Sequence, residues 1–176
     1  MSKKLGIVWL RQDFRLLRNN ALSHATNNHD LVNAIFIFKD SDFKDKREAQ
    51  RWWIYNSVKN FRKELNNYNI NLEFVISKSY QKTLEDMSQD NSASFYWNKI
   101  YEPKYLKFDE KISKLFNEKN IEHKIFKGNT LNEYNEVKKS DNTPFKVFTP
   151  FWRNSEHIYV KKEFSKKMLI KKRLKK

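Results

Sequence analysis

The chain of 176 residues carries 36 Lys and Arg against 21 Asp and Glu, a formal net charge of +15. At about 100 to 200 residues per domain, that length predicts one globular unit with room for an appendage, and an aromatic content of 15% is too high for a disordered basic tail. Absence of Cys excludes disulfides, thiolate nucleophiles and Cys-based metal sites, and fits a reducing compartment.

Leu5 to Leu10 reads as a buried strand, a short apolar run ending at a charged cluster. Asn19 and Asn20 can cap a short helix over Ala21 to Ala25. Val32 to Phe38 is a second continuous apolar run and hence a strand buried on both faces. Ile54, Val58, Phe61, Leu65 and Tyr68 then fall at helical steps, with Trp52-Trp53 at the start of that helix read as core packing. Leu72 to Ile76 makes a third strand, Ser79 or Tyr80 to Asp90 a helix, Ser94 to Trp97 a fourth strand, Phe108 to Phe116 a helix and His123 to Phe126 a fifth strand. Continuously apolar strands alternating with helices predict an α/β fold: a Rossmann-like, doubly wound, five-stranded parallel sheet with helices on both faces. From Lys127 to Val147 the periodicity dissolves, and the remainder reads as an extended linker with a basic tail.

Residues 156–176 hold nine Lys or Arg against two Glu, a net of +7. Such a segment can touch phosphates, weakly and without sequence preference, or an anionic lipid surface, or simply be a solvated or frayed end. Met1 to Lys4 is basic, but the apolar stretch after it is shorter than the h-region of a secretion signal, and no run approaches the roughly 20 residues of a membrane span. The expectation is a cytoplasmic chain with no membrane partner.

In an open α/β sheet, ligands bind beyond the carboxyl ends of the strands. The turn after the first strand, Arg11-Gln12-Asp13-Phe14-Arg15, has no glycine, so neither a dinucleotide-binding G-x-G-x-x-G nor a P-loop is present. Its two guanidinium groups around one carboxylate can grip a polar ring or brace one loop against another. Trp97-Asn98-Lys99-Ile100-Tyr101-Glu102-Pro103 is the densest aromatic and polar mixture at a strand end. Tyr101 and Trp97 there can stack on a planar group while Asn98 and Glu102 hydrogen-bond its edge, or the aromatics can anchor the loop in the core. His24, His29, His123 and His157 show no metal-ligand spacing, and no nucleophile elbow is present.

Three blocks resemble the DNA photolyase and cryptochrome family. Ile7-Val8-Trp9-Leu10-Arg11-Gln12-Asp13-Phe14-Arg15-Leu16 with Asn19 and Ala21-Leu22 matches its opening motif. Trp97-Asn98 with Tyr101-Glu102-Pro103 and Asp109 follows, and then Pro144 to Trp152, which looks like the signature at the exit from the α/β domain. The resemblance implies a photolyase-type α/β domain over residues 1–130, then an interdomain linker and basic tail over 131–176, with the helical FAD domain absent. The implied function is that of the N-terminal antenna-chromophore domain of a deoxyribodipyrimidine photolyase, a lyase that repairs ultraviolet-induced pyrimidine dimers in DNA by light, truncated before its FAD catalytic domain. No catalytic or metal residue is then expected in this chain. A chromophore-free binding module or a non-functional fragment is the alternative, with a cryptochrome-like photoreceptor fragment further off.

By resemblance, Asp13, Phe36, Phe38, Glu102 and Asp109 line a chromophore pocket and Arg11 and Arg15 brace its loop, with Asn98 and Tyr101 alongside. Folate-binding members carry an Asn-Glu pair where this chain has Lys104-Tyr105, so the implied antenna is a deazaflavin or flavin rather than a folate. FAD enters only through the helical domain. Arg18 stands where the family usually has Asp. The implied partners are DNA, bound weakly and without sequence preference by this chain alone, and a separate FAD-domain polypeptide.

Overall fold

A computed structural model describes residues 5–161 apart from 40, 42–43, 45–46, 90–92 and 134, so most of the basic tail lies outside the described residues. The elements are β1 (Leu5–Leu10), α1 (Asn20–Asn28), β2 (Val32–Lys39), α2 (Glu48–Asn66), β3 (Asn71–Ser77), α3 (Tyr80–Asp86), β4 (Ala93–Asn98), α4 (Pro103–Glu118), β5 (His123–Phe126) and α5 (Phe148–Lys161). All pairings are parallel and the strand order is β3-β2-β1-β4-β5. β1 is therefore central: the chain winds outward through β2 and β3, then crosses back to lay β4 and β5 on the other side. That reversal between β1 and β4 is the topological switch point.

Side chains alternate along β1, and each face closes its own core. Val8 and Leu10 join Ala21, Leu22, Phe36, Val58, Phe61 and Leu65 under α1 and α2. Ile7 and Trp9 join Leu84, Phe95, Trp97, Ile112 and Phe116 under α3 and α4. The doubly wound, five-stranded parallel sheet is thus the one that continuous apolar strands imply, since a strand buried on both faces has no polar side to show.

Helix ends carry the local chemistry that sets these lengths. Asn19 caps α1 by accepting from the Leu22 N–H at 3.1 Å, and Ser79 caps α3 by accepting from the Lys82 N–H at 3.3 Å. With only two glycines in the chain, asparagine takes the left-handed position after α2 and α4. Asn69 and Asn120 have φ near 56° and 54°, and the next N–H, of Ile70 and of Ile121, bonds the Leu65 and Phe116 carbonyls five residues back. This is the Schellman arrangement with Asn in the usual place of Gly.

Three expectations are corrected. α3 stops at Asp86, where an expected helix ran to Asp90. The segment read as an extended linker contains the 14-residue α5: Pro150 sits in its first turn, where a missing N–H costs nothing, and Phe148 and Trp152, one turn apart, stack at 6.2 Å. Trp52 and Trp53, read as core, are 67% and 63% exposed. The buried stripe of α2 is set by Val58, Phe61 and Leu65, and steps of about 100° per residue turn Trp52 and Trp53 off it.

The chain divides into two compact units, one over Met1–Gly128 and a second that begins at Asn129. In the second, residues 129–147 form no helix or strand among those described, and a turn is held by Asp141, whose Oδ1 accepts from the Thr143 N–H at 2.9 Å and hydroxyl at 2.6 Å.

Candidate functional site

The switch point between β1 and β4 is filled by the protein's own polar groups. Arg11 leaves the end of β1 and meets Asp109, on the buried side of α4, in a two-pronged ion pair: Nη1 to Oδ1 at 2.8 Å and Nη2 to Oδ2 at 3.1 Å, both side chains 5% exposed. The same guanidinium donates to the Asn98 carbonyl and lies 4.8 Å over the Trp9 ring. Burial pushes the Asp109 carboxyl above its ordinary pKa, with the Arg11 charge and hydrogen bonds pulling the other way.

Asn98, at the end of β4, is fully committed. Its Nδ2 donates to Asp13 Oδ2 and, at 2.8 Å, to Asn19 Oδ1, while its Oδ1 accepts from the Ala21 N–H at 3.1 Å. Asp13 in turn accepts from the Arg11 backbone N–H at 3.1 Å, and Asn19 Nδ2 donates to the Asp13 and Arg15 carbonyls at 3.2 and 3.3 Å. Arg11, Asp13, Asn98 and Asp109 therefore form one network that ties the β1 turn to the cap of α1, to β4 and to α4. Such a network holds geometry; few of its bonds remain for a ligand.

Beside it, toward β2, lies a cavity of about 440 Å³. Its floor is the carboxyl end of β1 and β2, through Trp9, Leu10, Arg11, Phe36 and Ile37. One wall is the first turns of α2, with Gln50, Trp53 and Ile54. The other is Tyr80 of α3 and the entry to α4, with Ile100, Glu102, Lys104 and Tyr105, and Gln12 and Phe14 complete the lining. Six of these side chains are aromatic. Phe14 and Phe36 pack edge to face at 5.4 Å, and Tyr80 sits 5.3 Å from Trp9. The charged groups are Arg11, already paired with Asp109, and Glu102 with Lys104, whose charges stand 3.8 Å apart. Lys104 also lies 4.7 Å over the Tyr105 ring. Arg11 keeps one buried donor, its Nε, with no hydrogen-bond partner among the described residues. A cavity of this size with flat apolar walls and few polar groups suits a planar heteroaromatic ligand.

Of the residues singled out from sequence, Arg11, Phe36 and Glu102 line this cavity, while Asp13, Asn98 and Asp109 stand behind it and position Arg11. The other three lie elsewhere. Arg15 donates to the Arg18 carbonyl at 3.5 Å, Phe38 stacks on Phe74 at 5.8 Å, and the Tyr101 hydroxyl accepts from the Gly128 N–H at 3.1 Å. That last contact lies where a Cβ on Gly128 would come within 2.1 Å of the Lys99 carbonyl oxygen, so only glycine permits the approach. Sequence reasoning missed Gln50, Trp53 and Tyr80, and used Lys104 and Tyr105 only as the pair that replaces the family's Asn-Glu. The available signal was Trp53, a tryptophan one residue off the buried stripe of its helix.

A family model described as DNA photolyase matches residues 6–167. The deoxyribodipyrimidine photo-lyase of Agrobacterium fabrum is 27% identical over 151 residues, covering 85% of this chain and 31% of that protein. The crystal structure of a bacterial class III photolyase from Agrobacterium tumefaciens superposes with a TM-score of 0.78 at 25% identity, over 89% of this chain and 32% of the other. An archaeal photolyase from Sulfolobus tokodaii, described with two FAD molecules and a novel light-harvesting cofactor, has the same fold at a TM-score of 0.68 and 22% identity, over 86% and 35%. The chain spans about a third of the length of these relatives.

Proposed function

The chain belongs to the DNA photolyase family, and from that premise we propose that its α/β unit, continuing to about residue 130 before an interdomain linker, is an antenna domain whose cavity at the ends of β1 and β2 holds a light-collecting chromophore. The observation that carries this reading is the combination of six aromatic walls with the spare buried Arg11 Nε donor. Phe14, Phe36 and Trp53 give the lining apolar ring surface for a planar heterocycle, with Trp9, Tyr80 and Tyr105 packed under cations beside it, and a small shift of the Arg11 side chain brings its Nε–H to a carbonyl at the ligand's edge. Bound there, the chromophore absorbs light and passes the excitation on. The network of Asp109, Asn98 and Asp13 holds Arg11 in place before any ligand arrives, which lowers the ordering cost of binding.

Light-driven repair of pyrimidine dimers is the activity we assign to the larger assembly in which such a unit works. DNA and FAD enter through that assembly, including by way of a separate polypeptide, and this unit's own residues collect light without touching the dimer. The antenna is read as a deazaflavin or a flavin: Lys104 and Tyr105 line the cavity, at the positions where, by the family resemblance, folate-binding members carry Asn-Glu. Absorption spectra of the purified chain titrated with a deazaflavin, FMN and a reduced folate separate these ligands. Saturation at one deazaflavin or flavin per chain, with no folate retained, is the expected result; folate saturation without flavin binding contradicts it.

A further inference from the structure

Val58, Phe61 and Leu65 fix the rotation of α2 on the sheet. With about 100° per residue, Arg51, Trp52, Tyr55, Lys59, Arg62 and Lys63 then share an arc of about 120°, and all six are exposed. Glu48 is the one acid on that arc among the described residues. Trp52 and Tyr55 are 67% and 60% exposed, and Lys59 Nζ stands 5.9 Å over the Tyr55 ring. Two large rings left in water beside four cations, on a helix that already buries its own apolar stripe, mark an interaction surface.

We propose that this face of α2 binds single-stranded nucleic acid, with the cations on the phosphates and Trp52 and Tyr55 stacking on bases. The arc from Arg51 to Lys63 runs about 18 Å along the helix at 1.5 Å per residue, the span of a short oligonucleotide site. A duplex hides its base faces and leaves the rings unused. A protein partner fits less well, because protein interfaces are depleted in lysine at their centres. The surface is distinct from the cavity, and its test does not depend on the chromophore reading.

The test is fluorescence anisotropy of a labelled oligothymidylate, and of a duplex of equal length, with the full chain at increasing salt. Replacing both rings (Trp52→Ala with Tyr55→Ala) should weaken oligothymidylate binding about tenfold or more and duplex binding less than threefold, with an unchanged melting temperature. Trp52→Phe with Tyr55→Phe should restore most of the loss. Arg62→Gln with Lys63→Gln should lower the slope of log affinity against log salt by about 1.4, at about 0.7 per phosphate contact on a single strand. An oligothymidylate affinity unchanged by removal of the rings, or an equal loss on duplex, overturns the proposal. So does ring-dependent self-association of the chain without ring-dependent nucleic-acid binding, which would assign the face to a protein.

Discussion

Arg11 is the side chain on which the switch point turns, because it faces the cavity while its charge is spent on Asp109. A buried ion pair contributes little net stability compared with a well-packed apolar pair, yet removal of one partner strands the other charge in a poor solvent. Asp109→Asn should therefore cost about 3 to 5 kcal/mol, whereas Arg11→Met combined with Asp109→Leu should cost less than Asp109→Asn alone; urea denaturation of the three proteins measures both. The same arithmetic explains why the turn's two arginines and one aspartate left two readings open. Composition shows that the charges are near one another along the chain, and only the fold shows that Arg11 pairs across 98 residues with Asp109, while Asp13 serves Asn98.

The elements themselves were legible because the inner strands β1, β2 and β4 are apolar and largely buried on both faces and the helices α2 and α4 carry a clean stripe. Boundaries were less so: α3 is short, and α5 lies in a segment whose only periodic signal is aromatic residues near Pro150. Helix ends follow from asparagine chemistry. Asn120 holds a left-handed φ of 54° behind α4, where glycine meets no Cβ penalty, so Asn120→Gly should raise stability by about 0.5 to 1 kcal/mol and Asn120→Val should lower it; thermal melts of the pair test this. The packing of α1 on the sheet brings a pH dependence. His24 packs 4.9 Å from the Tyr96 ring and 5.0 Å from Phe126, and burial, then the Lys124 charge, then His29 lower its pKa from 6.5 against an opposing Glu122. The folded state thus disfavours the imidazolium. Below pH 6.5 the unfolded chain takes up the proton first, so stability falls as pH drops through the window beneath 6.5. His24→Phe keeps the ring contacts and should flatten the difference in urea midpoint between pH 7 and pH 5.

At the scale of the molecule, the winding of β1, β2 and β3 to one side and β4 and β5 to the other places a crevice where such folds bind ligands. Here the protein fills that crevice with its own hydrogen bonds, and the open volume lies one strand over, above β1 and β2. No sequence pattern announces that displacement, since it depends on where the first turns of α2 and α4 come to rest; this is why Trp53 and Gln50 were not legible as lining residues while Arg11, Phe36 and Glu102 were. Among the described residues no helix is long and apolar enough to cross a membrane. That the cavity is a ligand site is tested most directly by equilibrium titration of the wild type and a Gln50→Trp variant with the preferred deazaflavin or flavin. Gln50 is an exposed wall residue, so the added indole should plug the cavity with little effect on melting. Saturation at one ligand per chain, weakened at least about tenfold in the variant, is the predicted result; a variant that binds as tightly as the wild type, or a wild type that does not saturate, contradicts it.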